Sequence, residues 1–123
     1  MPGTIRRFED VKAWQKARDL TKKAYLITSK GQFARDFGLR DQVRRASVSL
    51  MLNIAEGFAR KTDGEFAQFL VHTHGSAAEF QSALYVALDQ GYISAEDFQA
   101  LYDSAEEVSK MVIALSQYLK NLR

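Results

Sequence analysis

Apolar residues recur along the chain at three- and four-residue spacing, the pattern of helices with one buried face. Short polar or glycine-bearing stretches divide this pattern into four helical segments. The first helix is predicted over about residues 10–28, with Ala13, Ala17, Leu20, Ala24 and Ile27 on one face and Val11, Trp14 and Tyr25 beside it. Asp10 stands where an N-cap carboxylate would accept from the first free amides. Ser29–Gly38 holds two glycines and reads as a loop, and the second helix is predicted over about residues 39–60. Thr62-Asp63-Gly64-Glu65 has capping-box spacing and opens a third helix over 63–90. Phe66, Phe69, Leu70, Ala77, Phe80, Leu84 and Ala87 line that helix, and Gly91 is placed to end it at C′. Ser94 then caps a fourth helix over 95–121, with Phe98, Leu101, Ala105, Val108, Val112, Leu115, Leu119 and Leu122 at helical spacing. The only proline is Pro2, so nothing in the helices breaks them by that route. No hairpin signal interrupts the pattern. The expected fold is all-α, a single-domain antiparallel up-down-up-down four-helix bundle spanning residues 1–123, because short connections place helices beside their sequence neighbours.

The second helix departs from the usual amphipathic stripe. From Ala46 to Ala59 its only polar side chains are Ser47, Ser49, Asn53 and Glu56. Ala46, Leu50 and Ile54 serve one face, while Val48, Met51, Leu52, Ala55 and Phe58 carry apolar surface around the cylinder. A helix apolar nearly all round is buried on more than one side. Val48, Met51, Leu52 and Ala55 are therefore the expected contact with another subunit. Loop 29–38 or the N-terminal arm is the alternative cover within the chain.

Arg45, Ser49, Asn53, Glu56 and Arg60 form a polar row on this helix, and Glu65, Gln68, His72, Ser76 and Glu79 form another on the third. A turn centred near Thr62 sets Arg45 level with Glu79, Asn53 with His72, Glu56 with Gln68 and Arg60 with Glu65. The charges alternate favourably along such a seam, and facing partners would satisfy its buried polar groups. A catalytic or metal site at Asn53, Glu56, His72 and Glu79 is the competing reading. Against it, the Glu-x-x-His motif of di-iron bundles is absent. His72 and His74, two apart on a helix, point to different sides. The chain also lacks Ser/His/Asp and Cys/His sets, H-E-x-x-H, a P-loop and G-x-G-x-x-G. The seam (Arg45, Ser49, Asn53, Glu56, His72, Ser76, Glu79) is read as structural, and no enzyme activity, cofactor, metal or small-molecule substrate is expected.

Composition adds one strong fact. The net charge of +2 conceals a balance of +7 in residues 1–45, +1 in residues 46–61 and −6 in residues 62–123. Such asymmetry suits either an anion-binding face or mutual attraction of the two halves. Cysteine is absent, which excludes disulfides, thiol catalysis and thiolate metal sites. MPGTIRRFED has no apolar run behind its arginines, and the longest nearly uncharged stretch, Ala46–Ala55, falls well short of the ~20 residues needed to span a bilayer. A cytoplasmic protein without membrane contact is expected.

Certain motifs are more specific than periodicity. Asp41-Gln42-Val43-Arg44-Arg45-Ala46-Ser47-Val48-Ser49 is followed by Asn53-Ile54-Ala55-Glu56-Gly57. Trp14-Gln15-Lys16-Ala17 precedes them, and Glu65-Phe66-x-x-Phe69-Leu70 and Gly75-Ser76-x-x-Glu79 follow. In this order, from about Phe8 to Leu122, the chain resembles the bacterial four-helix-bundle family of 23S rRNA intervening-sequence (S23) proteins. The resemblance implies a bundle that assembles into a ring, commonly a pentamer, with no known catalytic activity. A related branch, the accessory proteins of diversity-generating retroelements, implies basic pentameric barrels that bind nucleic acid. His72-Thr73-His74 departs from the aliphatic or small residues usual in the family, which leaves a local role for the histidines open.

The expected function is thus a non-enzymatic homo-oligomeric module binding RNA or DNA through backbone charge. Candidate contacts are Lys12, Lys16, Lys22, Lys23, Arg40, Arg44, Arg60 and Lys61, with Arg45 withheld for Glu79. The alternative is a protein-interaction scaffold or accessory subunit, its acidic half docking a basic partner or a reverse transcriptase-like enzyme. One continuous basic patch favours the first reading; basic residues scattered among acids favour the second. A helix-turn-helix built from helices two and three is the weakest reading, since the apolar second helix would have to face solvent.

Overall fold

The computed structural model describes residues 5–122. Four helices account for most of them: α1 Lys12–Thr28, α2 Phe37–Phe58, α3 Asp63–Asp89 and α4 Ala95–Lys120. Two short 3-10 turns, Phe8–Asp10 and Phe33–Arg35, precede α1 and α2. No strand occurs among the described residues.

Each helix start has a local cause. Thr62 Oγ1 accepts from the Glu65 amide at 3.1 Å, and Ser94 Oγ accepts from the Asp97 amide at 3.0 Å, both as expected. At α2 the cap is Asp36, whose Oδ1 accepts from the Leu39 amide at 3.1 Å and starts the helix two residues before the expected Leu39. Asp10 does not cap α1. Its Oδ2 reaches back to the amides of Arg6 (3.0 Å) and Arg7 (3.2 Å), and Val11 takes the cap position without a side-chain bond. Gly91, at φ +74°, ends α3 as expected. The Tyr92 amide donates to Ala87 O at 2.9 Å and the Gly91 amide to Leu88 O at 3.0 Å, the paired bonds of a Schellman end.

Packing runs in a closed cycle in which α3 lies on both α2 and α4, and α1 completes the ring between α2 and α4. Contacts between neighbours fix their antiparallel sense. Thr21 Oγ1 donates to Ser47 O at 3.1 Å across α1 and α2, and Ser49 Oγ meets Ser76 Oγ at 3.0 Å across α2 and α3. Gln81 Nε2 donates to Glu106 Oε1 at 3.0 Å across α3 and α4, and Ser116 Oγ donates to Ala67 O at 3.3 Å farther along the same pair. The all-α, antiparallel up-down-up-down bundle expected from the sequence is the observed fold.

The core combines large side chains with very small ones. Leu20, Leu50, Ile54, Leu70, Phe80, Leu84, Leu101 and Leu119 are buried, and Ala17, Ala24, Ala67, Ala77, Ala87 and Ala105 let the helices approach one another. At Gly57 on α2 the backbone lies so close to Phe66 and Phe69 of α3 that there is no room for a Cβ. No described buried side-chain N or O atom lacks a partner. No described helix is long and apolar enough to cross a membrane.

Loop 29–38 contributes more than its polar sequence suggested. Phe33, 1% exposed, plugs the open end of the bundle and packs on the Tyr92 ring at a centroid distance of 5.4 Å. The Tyr92 hydroxyl donates to Asp36 Oδ2 at 3.0 Å, so one carboxylate caps α2 and ties the α3–α4 turn to it. That hydrogen bond, which favours the neutral phenol beside a carboxylate, raises the Tyr92 pKa above its ordinary value.

Candidate nucleic-acid interface

Helix geometry sorts the basic residues of α1 between two edges. Trp14, Arg18, Thr21, Tyr25 and Thr28 follow i, i+4, i+7 spacing and form the ridge next to α2. Lys16 and Lys23 lie on the flank next to α4. There Lys16 Nζ is 3.1 Å from Glu107, and Lys23 and Lys30 share a 280 Å³ groove with Asp97. Acids of the fourth helix thus face the basic residues on this edge. Lys12 is exposed near Asp10 in a larger 600 Å³ groove, bordered by Ile5, Met111 and Leu115.

The α1–α2 edge differs. Arg44 Nε donates to the buried Thr28 Oγ1 at 2.8 Å, and its guanidinium lies 4.6 Å from the Tyr25 ring centroid. The Arg18 guanidinium sits 5.8 Å from the Trp14 ring. Lys22, one turn beyond Arg18, is exposed, as is Arg45. None of these four cations forms an ion pair among the described residues. Asp41 on this edge accepts from Arg40 Nε at 3.0 Å, and Asp19 is exposed beside Arg18, one turn before Lys22. Arg40 also donates to Ala34 O at 3.1 Å and covers the Phe37 ring.

Of the eight basic residues singled out from the sequence, Lys22 and Arg44 therefore stand on the α1–α2 edge without an ion-pair partner among the described residues. Lys16 and Arg40 are paired, Lys23 is beside an acid, and Arg60 is bridged to Glu56 at 3.1 Å while lying over Phe69. Lys61 is exposed in the α2–α3 turn and Lys12 at the start of α1, both away from the Arg44–Tyr25 contact. Arg18 was missed, and its place seven residues before Tyr25 on the same face was the available signal.

The seam forms with the expected level but not the expected facing. Ser49 meets Ser76, and Asn53 Nδ2 donates to Ser49 O at 2.9 Å and Ser49 Oγ at 3.0 Å. Arg45 and Glu79 form no ion pair. Arg45 lines a groove with Tyr25, Asp41, Arg44 and Val48, whereas Glu79 lines another with Leu39, Gln42 and Ser82. The reason is helical pitch: residues four apart advance about 40° around an axis of 3.6 residues per turn. A row that faces α3 at Ser49 and Asn53 has turned outward by Arg45. Glu56 and Arg60 bond to each other rather than to Gln68 and Glu65. Arg45→Ala is accordingly expected to change folding stability by no more than about 0.5 kcal/mol, the usual range for a surface substitution. A buried pair would lose about 3–5 kcal/mol. Urea unfolding of the variant distinguishes these.

The histidines point apart. His72 is exposed near the Phe69 ring, and His74 Nδ1 lies 3.3 Å from Ser109 Oγ on α4. No group of three or more described His, Asp or Glu residues is arranged to hold a metal ion. On the outer face of α2, Leu52 is 62% exposed, Val48 and Ala55 are half-buried, and Met51 packs partly against the core. At the start of the same helix Phe37 is 63% exposed.

The chain is similar to a crystal structure of a protein with unknown function from the S23 ribosomal protein family of Bacteroides thetaiotaomicron VPI-5482. The two share 19% identity and a TM-score of 0.78 over 85% of this chain and 98% of the other, a likeness in fold. No curated protein matches the sequence. The family model for the 23S rRNA-intervening sequence protein matches residues 9–114. With that match spanning nearly the whole bundle, the chain belongs to the 23S rRNA-intervening sequence protein family.

Proposed function

We propose that the protein is a non-enzymatic, homo-oligomeric module that binds RNA or DNA through backbone charge. The observation that carries this reading is the α1–α2 edge, where Arg18, Lys22, Arg44 and Arg45 stand without ion-pair partners among the described residues. The basic residues beside α4 have their field reduced by Glu107 and Asp97. Contacts from this edge to phosphates would position a strand without reading its sequence. Binding of generic RNA and DNA, compared between wild type and edge variants, tests it.

Self-association is supported by Leu52 and its half-buried neighbour Ala55, apolar side chains that a second copy would cover. Assembly would bring several weak edges to one strand and raise avidity without new contacts. Leu52→Asp is expected to shift the native mass to smaller species. A wild-type protein found monomeric by light scattering at micromolar concentration would refute the assembly.

A further inference from the structure

Resting on that reading, we infer that the α1–α2 edge takes an unpaired nucleotide, its base laid against Tyr25 and its phosphate against Arg45. Four observations converge. A groove of 320 Å³ is lined by Tyr25, Asp41, Arg44, Arg45 and Val48, with room for a planar base and its sugar. Tyr25 is the aromatic in this groove and remains 43% exposed although Arg44 covers part of its ring. Arg44 is held in place, because its Nε donates at 2.8 Å to Thr28 Oγ1, and Thr28 is fully buried. The aromatic and its guanidinium thus form a fixed stack before any ligand arrives, so little ordering is needed on binding. Arg45 is exposed on the same groove, and Lys22 and Arg18 flank Tyr25 one and two turns along α1.

The carboxylate in the groove is Asp41. It is occupied by Arg40 Nε at 3.0 Å, so the cations outnumber it where a phosphate would lie. Aromatic faces set among cations hold single strands by stacking on bases that are free of a duplex. In a duplex the bases are stacked on each other and are not free to lie against Tyr25. Backbone charge alone would bind both forms, so the strand preference is the property this groove adds. RNA and DNA share the chemistry, an unpaired base on a phosphodiester backbone.

The test measures affinity of the full chain for one sequence as single-stranded RNA, single-stranded DNA and blunt duplex, at one salt concentration. Tyr25→Ala is expected to weaken both single-stranded complexes by about tenfold or more. Duplex affinity should change less than about twofold, since charge carries it. Tyr25→Phe should retain single-strand affinity, and Tyr118→Ala, at an exposed tyrosine of α4, should leave all three complexes unchanged. Thermal unfolding of each variant establishes that the bundle is intact. Wild type that binds none of the three overturns the charge reading and this inference together. Wild type that binds, with Tyr25→Ala indistinguishable or equally weakened on duplex, overturns the stacking site alone. The ratio of RNA to DNA affinity identifies the strand favoured in the groove.

Discussion

Replacing Gly57 with valine is expected to destabilise the bundle by about 3 kcal/mol, the upper end of the cost of overpacking a well-packed core. A Cβ at this position would lie 2.6 Å from Phe69 Cβ and 2.9 Å from Phe66 Cδ1. The first neighbour is fixed to the α3 backbone and cannot swing aside. Relief requires α2 and α3 to separate, which loosens Ile54 and Leu70 and disturbs the edge contact between Phe58 and Phe66 at 5.9 Å. Gly57→Ala meets the same obstruction but recovers about 1 kcal/mol of helix propensity, so its net cost is smaller. Valine recovers less because it is β-branched. For a domain of this size the valine variant should lose roughly 10 °C in Tm. A valine variant with unchanged unfolding midpoint would mean that α2 and α3 are not packed at this distance.

Charge reversal on the α1–α2 edge should have the largest effect on function. Arg18→Glu, Lys22→Glu and Arg45→Glu together alter exposed side chains that form no ion pair among the described residues. Arg44 is left intact because its guanidinium also holds Thr28. If all three cations contact phosphates, the slope of log affinity against log salt should fall by about 2 to 3. Lys12→Glu, Lys16→Glu and Lys23→Glu form the comparison set on the opposite flank of α1, where Asp10, Glu107 and Asp97 respectively lie beside them. Both sets change net charge equally. A larger loss for the first set locates binding on the edge, and equal losses would show that total charge, not the edge, governs the interaction.

The fold was legible because its signals are local. Thr62, Ser94 and Gly91 act within a turn of their own positions, and the apolar rows of α1, α3 and α4 repeat often enough to fix a buried face. Phe33 was illegible for the opposite reason. It is one of two phenylalanines in a loop, with no periodicity to tell it from the exposed Phe37, and it packs on Tyr92 from a turn nearly sixty residues away. Asp36 carries a cap signal three residues before Leu39, but it sits inside that loop, where nothing periodic marks the helix start. The seam's level followed from the position of the turn, whereas Arg45's azimuth depended on pitch accumulated along α2. Candidate contacts were harder still. Whether a lysine is free or paired depends on the facing helix, so Lys16 and Lys22 look alike in sequence and differ only once Glu107 is beside one of them. Arg44 shows the same dependence, since its value rests on Tyr25 and Thr28 of another helix.

The central claim is that this edge binds nucleic acid through phosphate charge, and its most direct test is the affinity of the wild-type protein for a generic RNA at about 50 and 200 mM salt. The account predicts measurable binding at the lower concentration and a loss of orders of magnitude at the higher one, as several released counterions require. Absence of binding at the lower salt would contradict it and leave the acidic α3–α4 half, and the scaffold role it suits, as the surface to explain.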